Sequence, residues 1–380
     1  MMPDEIDPAR DLGFIQDKQF ICEPQGFLTP CNTARDLCRA VIPHGDKLYD
    51  ILDRYDNVTS YVLNRDDTGH SGDVMRLISP FLKAFGATDY SIQRFYDSSL
   101  KMMPGAENAM RYIVSQMPTF METAMYDQAA NTLCNRLSLP RSMVGATTID
   151  LDGTEMTPKE CRDLRGMATD ITGLKLPRDK YELNVPLELS AAEVDMVSAL
   201  DDIFTRKLQS TAAFDMIQNM MSIGANEKAY ALLDIRKTTQ VDLDGTMYVG
   251  GEIIDYQVMD LVKDGSGLSV SFNGSEFAVH GCNVAVMSDD CTVVSFLASV
   301  FYDTGIQGVF DMVENWNRKF LCETNVPDRN ALNAMLAKHP KNLPTVVRVT
   351  KDNVSEIAAK SDAYRKKAIR KAEKSTASEI

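Results

Sequence analysis

The chain has 380 residues, of which 44% are hydrophobic and 25% charged, the composition of a globular protein with one large or two ordinary domains. Its formal net charge of −14 argues against general binding to nucleic acid or to an anionic membrane, and no apolar run reads as long enough to insert in a bilayer. Eight cysteines without a CxxC pair, and only four histidines, argue against a zinc site or a disulfide framework; reduced thiols in a cytoplasmic core are expected.

Residues 1–18 read as an irregular lead-in, and Asp4, Glu5, Asp7 and Asp11 make it unlike a signal peptide. Phe20 to Cys22 is a short apolar run closed by a polar turn, as in a buried strand. Thr29-Pro30 then reads as a helix N-cap and first-turn proline, with Ala34, Leu37, Cys38 and Val41 on one face and Pro43 and Gly45 as the stop. Residues 46–115 are helical in pattern: Leu48, Ile51, Leu52 and Tyr55 form one stripe, and Val74, Leu77, Ile78, Phe81 and Leu82 another. Pro118 to Met121 predicts a second core strand, 126–137 a helix, and Val144 to Leu151 a strand with Gly153 as its turn. Residues 155–223 return to helix, broken around Pro177 and Pro186, and Lys228 opens a helix over Ala229 to Ile235. Short strands over Thr246 to Val249, Leu268 to Phe272 and Val284 to Met287 lead to a long helix over Val293 to Leu321.

Strands alternating with helices predict an α/β fold with a parallel sheet covered on both faces. Residues 19–45, 116–154 and 222–325 form its core, 46–115 a helical cap insertion, 155–221 a second helical insertion, and 326–380 a C-terminal extension. In such sheets the site lies at the carboxyl ends of the strands. Glu23, Glu122 and Gly251 all fall just past predicted strand ends. From about Lys351 the tail is helical and basic, with Lys360, Arg365, Lys366, Lys367, Arg370, Lys371 and Lys374 and few apolar residues. A solvated helix is expected there; a docking helix for an acidic partner is the alternative.

Several segments carry a resemblance. Gln19 to Thr29, Gly250 to Tyr256 and Gly267 to Gly274 resemble the first and fourth motifs of the haloacid dehalogenase-like (HAD) phosphohydrolases and the turn that follows. Phe20-Ile21-Cys22-Glu23-Pro24-Gln25-Gly26, Ile42-Pro43-His44-Gly45-Asp46 and the run Leu77 to Gly86 are similar to an archaeal group of HAD-like proteins, known in some methanogens as subunit R of energy-converting hydrogenase A. Gly224 to Ala229 resembles the third motif, with Lys228 as its lysine, and Ile254 to Met259 the end of the fourth. The resemblance spans roughly residues 17–325 and implies a three-layer Rossmannoid core with helical caps.

HAD enzymes attack phosphate with an aspartate, protonate the leaving group with an acid two residues on, and neutralise charge with Mg²⁺, a lysine and a Ser/Thr hydroxyl. The resemblance puts Glu23 at the nucleophile position, Gln25 at the acid/base position, Glu122 at the Ser/Thr position with Thr123 as the nearby hydroxyl, and Gly251 at the first fourth-motif acid. Lys228 and Asp255 match. A carboxylate one methylene longer misplaces in-line attack, and a carboxamide carries no useful proton. The expectation is a catalytically degenerate binding, assembly or regulatory subunit of an archaeal, methanogen-type cytoplasmic complex, with a protein partner, no cofactor and an oligomeric state left open.

The alternative is an Mg²⁺-dependent phosphohydrolase. It would hold the metal through Glu23, Glu252 and Asp255, or use Asp150 and Asp152, since Asp150-Leu151-Asp152-Gly153-Thr154 spells the commonest HAD first motif and Asp242-Leu243-Asp244-Gly245-Thr246 repeats it. The plainer reading of both is an Asp-Gly turn, and no Ser/Thr strand motif follows between residue 155 and Lys228. Cys22 and Cys31 flank the predicted site and read as small core residues. His44 and His70 fall in turns, and His280 with Cys282 supplies too few ligands for a metal.

Overall fold

A computed structural model describes residues 17–63, 65, 72–177 and 189–377, the last five of these by backbone alone. The acidic lead-in up to residue 16, His70, Pro186 and the Lys374 side chain lie outside the described residues. The chain divides into two compact units, one of Met1–Pro30, Met102–Glu122 and Lys228–Ile380, the other of Cys31–Lys101 and Thr123–Glu227.

The strands are β1 (Gln19–Cys22), β2 (Thr119–Tyr126), β3 (Val144–Thr147), β4 (Thr246–Gly250), β5 (Leu268–Phe272), β6 (Val284–Met287) and β7 (Thr345–Arg348). They form one sheet in the order β3-β2-β1-β4-β5-β6-β7. β1 pairs in parallel with β2, Phe20 opposite Thr119, and with β4, Phe20 opposite Met247. β4, β5 and β6 continue in parallel, and β7 closes the edge antiparallel, Val346 opposite Val286. Every residue of β1, β4, β5 and β6 is buried, as expected of strands covered on both faces. The chain leaves β1 toward β2 and β3, then returns to β4 on the other side of β1. The β1/β4 boundary is therefore the topological switch point, where α/β sheets place their crevice.

Several expectations need correction. β2 runs on to Tyr126, so Glu122 lies inside the strand, not past its end. β3 stops at Thr147, and the segment to Leu151 is a turn with Ile149 and Leu151 buried. The first helix spans Thr33–Val41 and is capped by Asn32, whose side chain accepts from the Arg35 backbone N–H. Thr29 is excluded as its cap because Pro24 to Thr29 closes on itself: the Gly26 N–H donates to the Thr29 carbonyl at 2.8 Å and that of Thr29 to the Pro24 carbonyl at 3.0 Å. Gly26 takes φ +83° in this turn, a backbone region that glycine enters freely. β7 went unforeseen because this edge strand just after Pro344 has one buried residue, Val346, and so lacks the continuous apolar run of the inner strands.

Two helices also depart from expectation. Thr292–Glu314 is, by length and composition, apolar enough to cross a membrane. Its residues Thr292 to Phe301 are all buried in the first unit, which accounts for their apolarity, and Gly305 breaks the helical backbone at φ +65°. Val354–Ala377 is only half solvated. Ile357 and Ala358 join the core cluster of Ile21, Tyr248, Val279 and Ala285, and Ser361 is buried one turn later. Spacings of three and four residues place these side chains on one stripe, which a count of apolar residues overlooks.

The second unit is helical around the Gly45–Asn57, Val74–Ala84, Asp89–Ser99 and Pro158–Gly173 helices. It holds a buried Arg54–Glu193 ion pair at 2.8 Å. Ala106–Gln116, the last helix of the expected 46–115 cap, belongs to the first unit.

Candidate functional site

Glu23 is the first residue beyond β1, and its side chain folds back over its own loop. Its Oε1 accepts from the Gln25 backbone N–H at 2.9 Å, while Oε2 lies 2.5 Å from Lys228 Nζ. Lys228 projects from the first turn of the Ala225–Thr239 helix and also donates to Asp255 Oδ1 at 2.7 Å. Asp255 stands five residues beyond β4. Its Oδ1 accepts the Tyr248 hydroxyl at 2.9 Å, and its Oδ2 accepts the Gly251 and Glu252 backbone N–H groups, each at 2.8 Å. Gly250 makes this approach possible, because a Cβ there would sit 2.7 Å from the Asp255 carboxylate.

The cluster is closed to water: Glu23 is 1% exposed, and Lys228, Asp255 and Tyr248 are 0% exposed. One ammonium faces two carboxylates in this dry setting. Burial pushes the Glu23 carboxyl up, and Lys228 opposes that push only in part. Burial alone would lower the pKa of Lys228, but the Asp255 and Glu23 carboxylates outweigh it, so the ammonium is held charged. Burial, followed by the Asp255 charge, drives the Tyr248 hydroxyl well above its ordinary value. Burial and then the neighbouring carboxylates do the same to the Cys22 thiol, which keeps it protonated and a poor nucleophile.

The structure thus brings together Glu23, Lys228 and Asp255. The other candidate positions fall elsewhere. Gln25 contributes its backbone N–H to Glu23. Glu122 sits inside β2, and Thr123, next along the strand, accepts the Met125 N–H at 3.1 Å. Glu252, expected as a metal ligand, binds Arg365 of the Val354–Ala377 helix at 2.6 Å, and the same guanidinium donates to the Gly251 carbonyl at 2.9 Å. The proposed metal set of Glu23, Glu252 and Asp255 does not fit Mg²⁺: the Lys228 ammonium stands where the two inner carboxylates would share a cation, and the third is spent on Arg365. Among the described residues no three His, Cys, Asp or Glu side chains gather as a metal site.

The two Asp-Gly motifs are surface turns. Asp150 is exposed and caps its own turn by accepting the Gly153 N–H at 2.7 Å, while Asp89 accepts from the backbones of Leu151 and Asp152. Asp242 pairs with Arg236, and Asp244 is exposed. Cys282 is buried and donates to the Val279 carbonyl; His44 takes a left-handed conformation at a helix start.

Tyr248 and Arg365 are the partners that sequence reasoning missed. Tyr248 is hidden in an apolar strand, where an aromatic reads as core filling. Arg365 is eight residues beyond Ile357 and seven beyond Ala358, so the stripe that buries them carries it to the β4 exit loop; that spacing was the available signal.

No protein-family model matches the chain, and no curated protein sequence does. Among solved structures, the gene product AF1437 from Archaeoglobus fulgidus matches with a TM-score of 0.75 at 19% identity, over 93% of this chain and 97% of that one, and so shares the fold. A phospho-aspartyl intermediate analogue of phosphoserine phosphatase matches at TM-score 0.43 and 10% identity, and a substrate-bound phosphoserine phosphatase at 0.41 and 11%, each over 73% of this chain and 97% of the other.

Proposed function

We propose that this protein is a HAD-like chain whose phosphoryl-transfer site has become a buried ion-pair lock, and that it serves as a cytoplasmic binding or assembly subunit for a protein partner. One observation carries the reading. The Lys228 ammonium, the donor that the family resemblance would aim at a phosphate, is bound by the Glu23 carboxylate, which also takes the Gln25 backbone N–H. The extra methylene of glutamate lets the residue at the nucleophile position reach those donors and act as an internal anion in the substrate's place. The Gln25 carboxamide has no proton to give a leaving group. The archaeal, methanogen-type setting rests on the sequence resemblance alone.

The test is a panel of phosphate monoesters assayed with Mg²⁺ against the full chain, with Glu23→Gln and Asp150→Asn alongside. Phosphate release indistinguishable among the three proteins is expected, together with a stoichiometric protein partner on purification from the native source. Turnover that vanishes with Glu23→Gln would restore a working site, and turnover that vanishes with Asp150→Asn would move the chemistry to the surface turn. Either result overturns the proposal.

A further inference from the structure

The Val354–Ala377 helix has two halves of different character. The first is built into the core: Ile357 and Ala358 pack in the central cluster, and the Ser361 hydroxyl donates to the Gly274 carbonyl at 2.8 Å. The second carries charge outward. Between residues 360 and 371 stand Lys360, Arg365, Lys366, Lys367, Arg370 and Lys371 against the single acid Asp362, on a chain whose net charge is −14. Lys366, Lys367, Arg370 and Lys371 are exposed.

The junction of the halves touches the ion-pair site. Arg365 holds the Glu252 carboxylate and the Gly251 carbonyl. These are the two residues whose backbone N–H groups hold Asp255 Oδ2. Tyr364 donates to Asp289 at 2.6 Å, and Lys371 lies 3.5 Å from the same acid. The Lys371–Asp289 pair is open to solvent, with side chains 77% and 63% exposed, and the Arg365–Glu252 pair is partly so, at 22% and 18%.

We propose that this helix is a latch on the ion-pair site, released by an acidic polypeptide segment that docks on Lys366, Lys367, Arg370 and Lys371 and draws Arg365 from Glu252. The proposal rests on the binding-subunit reading and names the partner's chemistry. Charge complementarity favours a short acidic segment. The basic patch covers six residues of helix, about 9 Å, and the rest of the acidic surface repels an extended polyanion such as nucleic acid.

The experiment uses the full chain and an octaglutamate peptide, with hydrogen exchange read at the Gly251 and Glu252 amides and the β5 amides as internal control. Arg365→Gln is expected to speed exchange at the two site amides by at least about tenfold through local opening, and to leave β5 unchanged. The peptide is expected to produce the same opening in the wild type and none in a Lys367→Glu/Arg370→Glu variant. The latch is refuted if Arg365→Gln leaves the two amides as protected as before. Docking is refuted if the peptide has no effect, acts equally on the charge-reversed variant, or is matched by a single-stranded oligonucleotide of equal charge. Turnover of a phosphate ester would overturn the non-catalytic reading and leave this exchange result standing, because exchange does not depend on turnover.

Discussion

Replacing Lys228 by methionine keeps the length of the side chain and removes its charge, leaving Glu23 and Asp255 facing one another without a cation. At 2.5 and 2.7 Å each attraction is gross about 6 kcal/mol for an effective dielectric of about 20. Desolvation of the ions offsets most of that, and the net loss on removing one partner of a buried pair is about 3–5 kcal/mol. Glu23→Gln should cost much less, about 1 kcal/mol, because Lys228 and Asp255 remain as a balanced pair and the new carboxamide oxygen still accepts from Gln25. The double variant should recover part of the Lys228→Met loss, since one buried carboxylate has gone. Urea unfolding followed by Trp316 fluorescence reports on the first unit, to which the chain's single tryptophan belongs. The sign of the pH dependence gives a second check. Without Lys228 the Glu23 carboxyl rises further, the folded state holds its proton more tightly, and the penalty should shrink as the pH is lowered through the raised folded pKa. A Lys228→Met cost no greater than that of Glu23→Gln, or one that does not vary with pH, would refute the reasoning.

Further predictions follow from the same geometry. Tyr248→Phe removes a donor from the buried Asp255 carboxylate and should cost about 1–3 kcal/mol in urea unfolding with no change in m-value. Gly250→Ala drives a methyl against that carboxylate and should lower stability by about 1–3 kcal/mol, read as a fall in Tm. In the wild type, Glu23 has its folded pKa above the unfolded value of about 4.3, so its contribution falls as pH rises from there through the folded pKa. Lys228 has its folded pKa above about 10.4; its contribution is complete below that pH and is lost as pH climbs through the folded value, which urea unfolding across the two ranges checks. Glu23→Asp retracts the carboxylate from Lys228 and the Gln25 N–H and should open an anion site. Phosphate is then expected to raise the variant's Tm over a chloride control while leaving the wild type unmoved.

Much of the sheet was legible because its strands are buried on both faces and so write themselves as apolar runs of four or five residues: Phe20 to Cys22, Leu268 to Phe272 and Val284 to Met287 all read directly. Glu23 could be read as lying just past a strand, whereas its grouping with Lys228 and Asp255 was implied only by the resemblance. What stayed hidden was set by partners distant in the chain. Asn32 is the first helix cap because the Pro24 to Thr29 turn has already used Thr29, a fact of hydrogen bonding that composition does not carry. The apolar length of Thr292–Glu314 escaped notice because polar residues such as Ser295, Ser299 and Asp303 interrupt the run. The role of Arg365 depended on reading the tail by helical period, and the density of basic residues pointed the other way.

A buried triad of charges can often be replaced by apolar side chains without loss of stability, so its presence here calls for a structural account. Each member is completed by backbone or side chain from a different segment: Glu23 by the loop after β1, Asp255 by the loop after β4 and by Tyr248 of β4 itself, and both carboxylates by a lysine from the intervening helix. An apolar residue at any one position would strand the hydrogen-bonding groups that now converge there, and each stranded group costs about 1–3 kcal/mol. Single substitutions are therefore uphill although a concerted replacement need not be. The lock is the self-consistent form into which these three segments settle at the sheet's switch point.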